Sequence, residues 1–149
     1  MSYAISKKVK KALIESENNL RAIFESTGIG HIMMDCELTI LSFNNTAANF
    51  TLMVHKKVLE ANEHFLSYFP TERHAHLMSM ISRVLQGEKV NYEKEFLDNL
   101  EERKWFTVKF DPIVNEKGLI FGILMTVENI TQQKIATDLI QAEDRKSVV

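Results

Sequence analysis

Few residues of this 149-residue chain have the types and spacing that chemistry requires. His74 and His76 stand near the start of a predicted helix, but a spacing of two puts their side chains on different faces, so at most one points inward. We interpret both as surface or helix-end histidines. The sequence contains no nucleophile elbow, P-loop, HExxH motif or CxxC pair, and its paired glutamates suit solvated turn and strand positions. The chain is therefore predicted not to be an enzyme.

A second group of residues suits the binding of a small apolar molecule. Methionine and phenylalanine side chains can repack around a ligand, and the chain has seven Met and nine Phe. The candidate pocket residues are Met33, Phe43, Phe50, Met53, Met78, Ile81 and Phe121. The alternative is that these side chains form an ordinary core, and both interpretations stay open at this point.

The single cysteine, Cys36, can form no internal disulfide. Its type favours a buried or half-buried position, where it acts as a small apolar side chain. Sparse use of cysteine fits a reducing compartment, so we expect a cytoplasmic protein.

Charge and hydropathy exclude several classes of partner. The net charge of −2 argues against a nucleic-acid-binding surface, which would show a clustered basic excess. The lysines within residues 7–11 are best explained as a solvated helix face. The most apolar run, residues 119–127, is far shorter than the roughly 20 residues of a membrane helix, and no signal-peptide core precedes it. We therefore expect one domain without membrane contact.

Two exposed helices are predicted at the ends of the chain. In residues 4–26 the apolar side chains recur at alternating steps of three and four, which gives a narrow heptad-like stripe. A free helix with so narrow a stripe is marginal, so it needs a partner: the sheet of its own domain or the same helix of a second subunit. Residues 132–146 form the second helix, with a thin stripe of Ile135, Leu139 and Ala142.

Between these helices the pattern predicts five strands. They cover residues 31–36, 39–43, 89–98, 104–113 and 119–130. A short helix capped by Asn44 follows the second strand, residues 51–70 are mixed, and a longer helix spans 71–86. The last strand is apolar on both faces and should be covered on both. This order indicates an α+β fold, a five-stranded antiparallel sheet with helices on one face.

The motifs along this order resemble the PAS family with its PAC motif. Residues 28–35, Gly-Ile-Gly-His-Ile-Met-Met-Asp, are similar to the opening strand of the family, and Asn44 to its helix-starting Asn. Trp105 begins the fourth strand as it commonly does. Residues 128–134, Glu-Asn-Ile-Thr-Gln-Gln-Lys, resemble the closing Asp-Ile-Thr signature followed by Glu-Arg-Lys, with Asn129 and Gln133 as departures.

The resemblance implies a division of the chain and a class of function. Residues 1–26 would be an N-terminal connector and dimerisation helix, 27–131 the PAS domain, and 132–149 a C-terminal signalling helix or linker. Such a domain senses or relays a signal for a downstream output domain in a larger protein. By resemblance the parent is a sensor histidine kinase, with a diguanylate cyclase next. A ligand-free dimerisation and relay module is the alternative, and a small stand-alone enzyme is the third reading.

The resemblance also bears on cofactors and partners. Some family members bind haem through a His on the helix predicted here at 71–86, and others bind flavin through an Asn-Cys-Arg-Phe-Leu-Gln segment. That segment is missing, and neither His74 nor His76 is a strong candidate for a haem ligand. We expect no haem, flavin or metal, a homodimer, and room for a small apolar ligand.

Overall fold

The computed structural model describes residues 8–16, 18–19, 28–98 and 100–147. Two short 3-10 helices, η1 (Phe65–Tyr68) and η2 (Thr71–Arg73), accompany the main elements. In chain order these are α1 (helical residues 8–16), β1 (Ile29–Asp35), β2 (Ile40–Phe43), α2 (Asn45–His55), α3 (His74–Leu85), β3 (Val90–Leu97), β4 (Arg103–Val114), β5 (Ile120–Asn129) and α4 (Thr131–Ser147).

The five strands form one antiparallel sheet in the order β2-β1-β5-β4-β3. This confirms the predicted α+β fold, and the predicted strand bounds differ from the observed ones by at most two residues. The predicted helix at 71–86 divides into η2 and α3, while α2 runs five residues beyond the predicted 44–50. The sheet places β5 between β1 and β4, so the last strand contacts both halves of the domain.

The predicted N-terminal helix is described only in part. Residues 8–16 and 18–19 are helical, and the side chains of 8–16 are exposed. The other residues of the predicted helix, Leu20 and Ile23 among them, lie outside the described residues.

The core lies between one face of the sheet and the helices that follow β2. Alternate residues of β4, namely Phe106, Val108 and Phe110, are buried on that face, as the alternation of the strand predicts. Helix α3 covers them with side chains spaced three and four apart: Leu77, Ile81 and Val84. The helices within residues 44–86 therefore provide the inner cover that the sequence predicts.

Asn44 joins β1 and α2 through one buried side-chain amide. Its Oδ1 accepts hydrogen bonds from the backbone amides of Ala47 (3.0 Å) and His31 (2.9 Å). Its Nδ2 donates to the Ile29 carbonyl at 2.8 Å. The side chain is 1 % exposed, so water cannot replace these partners. The predicted cap of α2 is thus confirmed, and the same side chain also holds the start of this helix against β1.

Short turns between strands are closed by side chains that accept hydrogen bonds from backbone amides. Asp35 Oδ1 accepts from Glu37 and Thr39 after β1, at 2.9 and 3.0 Å. Asn115 Oδ1 plays the same part between β4 and β5, at 2.9 Å from Lys117 N and 3.0 Å from Leu119 N. These bonds stabilise the turns locally and so fix the register of the two hairpins.

Replacing Asn44 by Ala should destabilise the protein by about 2–4 kcal/mol, because it removes the cap and leaves two partly buried backbone groups of β1 without this partner. Chemical denaturation measures the change in the free energy of unfolding. Asn49→Ala is the control, since Asn49 is exposed within the same helix and alanine is the better helix former. Equal midpoints and slopes for Asn44→Ala and the wild type would contradict this account.

Candidate functional site

A small apolar cavity of about 60 Å³ lies between α2, η1 and the inner face of the sheet. Its wall is mostly aromatic and aliphatic, with His55 and Thr51 among the few polar side chains. The lining residues are Ile32, Ala47, Phe50, Thr51, Val54, His55, Leu59, Phe65, Tyr68, Phe69, Tyr92, Phe96, Phe106, Val108, Met125 and Val127.

Regular spacing brings these side chains to one place. In α2 the lining residues are 47, 50, 51, 54 and 55, which is one face of a helix. In β3, β4 and β5 they are alternate residues, such as Phe106 and Val108, and so share one face of the sheet. Thr51 satisfies its hydroxyl within the helix by donating to the Ala47 carbonyl at 2.8 Å.

Aromatic rings pack edge to face around the cavity. The His55 ring lies 4.7 Å from the ring of Phe69 and 6.3 Å from that of Phe96, measured between centroids. Phe106 continues the cluster, 5.1 Å from Phe50 and 5.7 Å from Phe96. Such contacts hold the rings in defined positions, so a bound molecule would meet a fixed aromatic wall.

His55 is the titratable side chain at the centre of this cluster. Burial lowers its pKa from 6.5 to about 4, with the positive charges of Arg73, Lys57 and Lys94 acting in the same direction. The ring is therefore neutral at physiological pH, with one nitrogen that donates and one that accepts a hydrogen bond. A neutral imidazole is compatible with the apolar wall around it.

Tyr68 fixes the loop that closes the cavity after α2. Its hydroxyl accepts a hydrogen bond from the Glu60 amide at 2.9 Å and donates to the Val58 carbonyl at 3.2 Å. The ring is buried and lines the cavity. The loop conformation and the cavity wall are thus set by the same side chain.

The predicted pocket residues lie elsewhere, with one exception. Phe50 lines the cavity, whereas Ile81 is buried in the core outside it, and Phe43 and Met53 are half-buried outside it. Three of the predicted residues are exposed and do not line this cavity: Met33, Met78 and Phe121. Met33 points to the outer face because its neighbours Ile32 and Met34 are buried, and Met78 lies on the outer side of α3. Phe121 precedes Gly122, the first residue of β5 that pairs with β1, so it lies outside that pairing.

The other candidate residues are also placed by the structure. His74 Nε2 lies 3.0 Å from the Phe69 carbonyl oxygen, and His76 is exposed; neither lines the cavity.

Cys36 is exposed, so the expectation of a buried or half-buried thiol is wrong; its place in the turn after β1 leaves it open to solvent. Within the described ranges, no group of three or more His, Cys, Asp or Glu side chains could hold a metal ion.

None of the helices in the described part of the chain combines the length and the apolarity that crossing a bilayer requires.

Sequence reasoning missed His55, Phe69 and Phe96. The signal was present, since residues 47, 51, 54 and 55 continue the helical spacing beyond the predicted end of the short helix at residue 50. Phe65 and Phe69 lie in or next to η1, and the register of so short a 3-10 helix leaves no clear periodicity in the sequence.

The junction between β5 and α4 is held by side chains at both ends. The Trp105 amide donates to Thr131 Oγ1 at 2.9 Å, and that hydroxyl donates to Asn129 Oδ1 at 2.6 Å. Asn129 Oδ1 also accepts from the Thr131 amide at 3.0 Å, and the Ile130 amide donates to the Trp105 carbonyl at 2.8 Å. Asn129 therefore caps the first turn of α4, and β4 is bonded directly to that turn.

An ion pair extends this junction to the edge of the sheet. Lys134 Nζ lies 2.5 Å from Glu93 Oε2 on β3 and 5.0 Å from the centroid of the Trp105 ring. Both side chains of the pair are partly exposed, so the pair adds orientation more than stability. The first turn of α4 thus contacts β3, β4 and β5 together.

The sequence profile of a family described as "PAS domain" matches residues 20–131, more than half of the chain. A search of curated protein sequences found no match.

Three solved structures show the same arrangement. The PAS domain from Bordetella pertussis BvgS has a TM-score of 0.60 and 16 % identity, over 91 % of this chain and 99 % of that chain. The PAS domain of the HTR-like protein from Haloarcula marismortui has a TM-score of 0.60 and 18 % identity, over 83 % and 99 %. A sensory box sensor histidine kinase from Vibrio cholerae has a TM-score of 0.52 and 18 % identity, over 82 % and 97 %. At these identities the likeness shows the fold.

Lowering the pH should destabilise the protein, and part of this loss of stability should depend on His55. As the pH drops from 6.5 towards 4, the unfolded chain takes up a proton on this residue before the folded chain does. The stability that the neutral ring contributes is complete above pH 6.5 and is lost as the pH falls through this window. His55→Phe should therefore show a smaller loss of the free energy of unfolding between pH 7 and pH 4 than the wild type.

His76→Phe is the control for this measurement, because His76 is exposed. It should follow the wild-type pH profile. Identical profiles for all three proteins would contradict the assignment.

Proposed function

The chain belongs to the PAS domain family, and on that premise we propose that this sensory domain responds to a small molecule in the His55 cavity by moving helix α4. The His55 cavity is the one whose lining is given above. The response would pass through β4 and β5 to an output domain that follows α4. The domain itself carries no reaction in this proposal; any activity belongs to the parent protein.

One observation carries this proposal: two adjacent residues of β4 belong to the cavity and to the junction. Phe106 lines the cavity, and Trp105 bonds to Thr131 at the start of α4. Side chains alternate across a strand, so Phe106 faces the cavity while the backbone of its neighbour Trp105 bonds to Thr131. A ligand that displaces the Phe106 side chain would therefore also displace the backbone that holds Thr131. No flexible loop separates the two sites, since Asn129 ends β5 and Thr131 begins α4.

A ligand-free relay module is the second candidate, and the size of the cavity favours it. A volume of about 60 Å³ is well below the roughly 150 Å³ of an apolar cavity that binds benzene. In this version the signal would come from a neighbouring domain through the N-terminal helix, and the cavity would be a packing defect. Direct binding measurements separate the two versions.

For the parent protein we propose a sensor histidine kinase, with a diguanylate cyclase as the alternative. One structure that shares the fold comes from a sensor histidine kinase. The exposed, free Cys36 also supports a cytoplasmic location for the domain, since such thiols persist in a reducing compartment.

Two glycines inserted after Thr131 should abolish the response of the parent protein to its stimulus. The insertion keeps the bond between Trp105 and Thr131 but interrupts α4 before Lys134, so movement of the strand no longer reaches the rest of the helix. The activity of the parent is measured with and without stimulus, and the isolated domain should remain folded by circular dichroism.

The matched control is a Gly-Gly insertion after Glu88, in the exposed turn between α3 and β3. This variant should keep the stimulus response. A parent protein that responds normally with the insertion after Thr131 would rule out the proposed route.

We also propose that the domain forms a homodimer through α1 and the outer face of the sheet. Met33 is exposed on that face, beside its cross-strand neighbour Leu124, and α1 exposes Val9 and Leu13. Met33→Glu should weaken dimerisation, because it places a charge in the covered face. Met78→Glu is the matched control: this methionine is similarly exposed, at 44 % against 37 %, but lies on α3.

Light scattering after size-exclusion chromatography measures this effect. The expected result is a dimer for the wild type and Met78→Glu, and a larger monomer fraction for Met33→Glu. A wild-type protein that stays monomeric at high concentration would contradict the proposal.

The purified protein should be colourless, without haem or flavin in stoichiometric amount. Neither His74 nor His76 lines the cavity, and His74 is engaged with the Phe69 carbonyl. An absorption spectrum is the measurement, and a Soret or flavin band would overturn the expectation.

A further inference from the structure

Two cations, Arg73 and Lys94, lie beside the His55 cavity. Arg73 Cζ is 5.1 Å from the centroid of the Phe69 ring, and Lys94 Nζ is 5.3 Å from that of the Phe96 ring. Both rings line the cavity, and the His55 ring lies between them. Both cations also line an open cleft on the outside, next to His76 and Arg83.

Most carboxylates near these cations are engaged elsewhere, and Glu72, which lines the same cleft, makes no contact within 4.0 Å with Arg73 or Lys94. Among the described residues, no cation–carboxylate contact within 4.0 Å involves Arg73 or Lys94. Glu93 and Glu95, which flank Lys94 in β3, pair with Lys134 and Arg103. Arg83 in the same cleft is neutralised by Glu88 at 2.7 Å.

The surroundings of the pair disfavour positive charge. Lys94 is half-buried on the same face of β3 as Tyr92 and Phe96, which is an unusual position for an unpaired lysine. Burial lowers the pKa of Lys94, and the nearby charge of Arg73 lowers it further. An anion placed between the two cations would remove this repulsion, which is the ordinary reason for such a pair to bind one.

Tyr92 separates the cation pair from the cavity. It belongs to the lining of both the cleft and the cavity, and its hydroxyl interacts with Arg73. Together with Phe69 and Phe96 it forms the boundary between the two cations and the cavity, so the tail of a bound molecule would enter beside these rings. The cavity of about 60 Å³ is too small for a ring system, so only about the last three carbons of an alkyl tail would enter it, with the first carbons beside Tyr92 in the cleft.

We propose that Arg73 and Lys94 bind the carboxylate of a small amphipathic monocarboxylate whose short alkyl tail enters the His55 cavity. This inference rests on the proposed function, because it names the ligand class of the same cavity. It adds a polar recognition element outside the apolar wall, and it predicts that ligand charge matters as much as ligand shape.

The test measures the binding of three probes to the full chain at pH 7 by NMR titration. Hexanoate carries head and tail, hexan-1-ol carries the tail alone, and acetate carries the head alone. The variants are Arg73→Gln, Lys94→Gln and the double variant. Lys109→Gln is the control, since Lys109 is exposed on β4. Hexan-1-ol binding in every variant shows that the cavity remains intact.

Hexanoate should bind the wild type and Lys109→Gln more tightly than either other probe, with shifts at Val54 and Met125 in the cavity. The double variant should bind hexanoate at least about tenfold more weakly while its affinity for hexan-1-ol is unchanged. Equal hexanoate affinity in the wild type and double variant would overturn the inference, as would acetate binding as tight as that of hexanoate.

The remaining outcomes separate the inference from the proposed function. If hexan-1-ol binds and hexanoate does not, the cavity accepts ligands but the carboxylate assignment is wrong. If no probe binds, the carboxylate inference is overturned. Failure of the proposed function is read separately, from the glycine insertion after Thr131 in the parent protein.

Discussion

The buried side chain of Asn44 is the constraint on which the candidate site depends. It lies where β1, β2 and α2 meet, and it bonds to backbone groups of His31, Ile29 and Ala47. These bonds fix the direction in which α2 leaves the sheet, and α2 supplies the cavity face that includes His55. Gly30 makes the close approach feasible, because a Cβ at that position would lie 3.0 Å from the Cα of Ala47.

From this fixed start, the geometry of a single strand connects the cavity with helix α4. The alternation of β4 directs Phe106 to the cavity and leaves Trp105 on the opposite face, beside Lys134 of α4. The backbone of Trp105 is the hydrogen-bond partner of Thr131 and Ile130. In the proposed route the sheet would carry a displacement without a dedicated moving loop, which distinguishes it from lid closure.

The sequence was sufficient for the sheet and for the cap at Asn44, because alternation and capping are local signals. It was insufficient for the cavity lining, because the lining depends on which of two neighbouring apolar residues in a strand points to the core. Met33 and Met34 are both apolar, and only the pairing of Met34 with Ile40 and the burial of both decide that Met33 lies outside. His55 was missed because α2 is longer than its predicted segment, and packing against the sheet stabilises the added turn.

Amide hydrogen exchange in a cavity-filling variant tests the link between cavity and helix most directly. Val54→Met adds volume inside the cavity, and Leu52→Met changes an exposed position of the same helix. The account predicts that Val54→Met alters the protection of the Trp105 and Lys134 amides and that Leu52→Met leaves both unchanged. Changes confined to α2 and η1 in Val54→Met would contradict the claim that the cavity is coupled to α4.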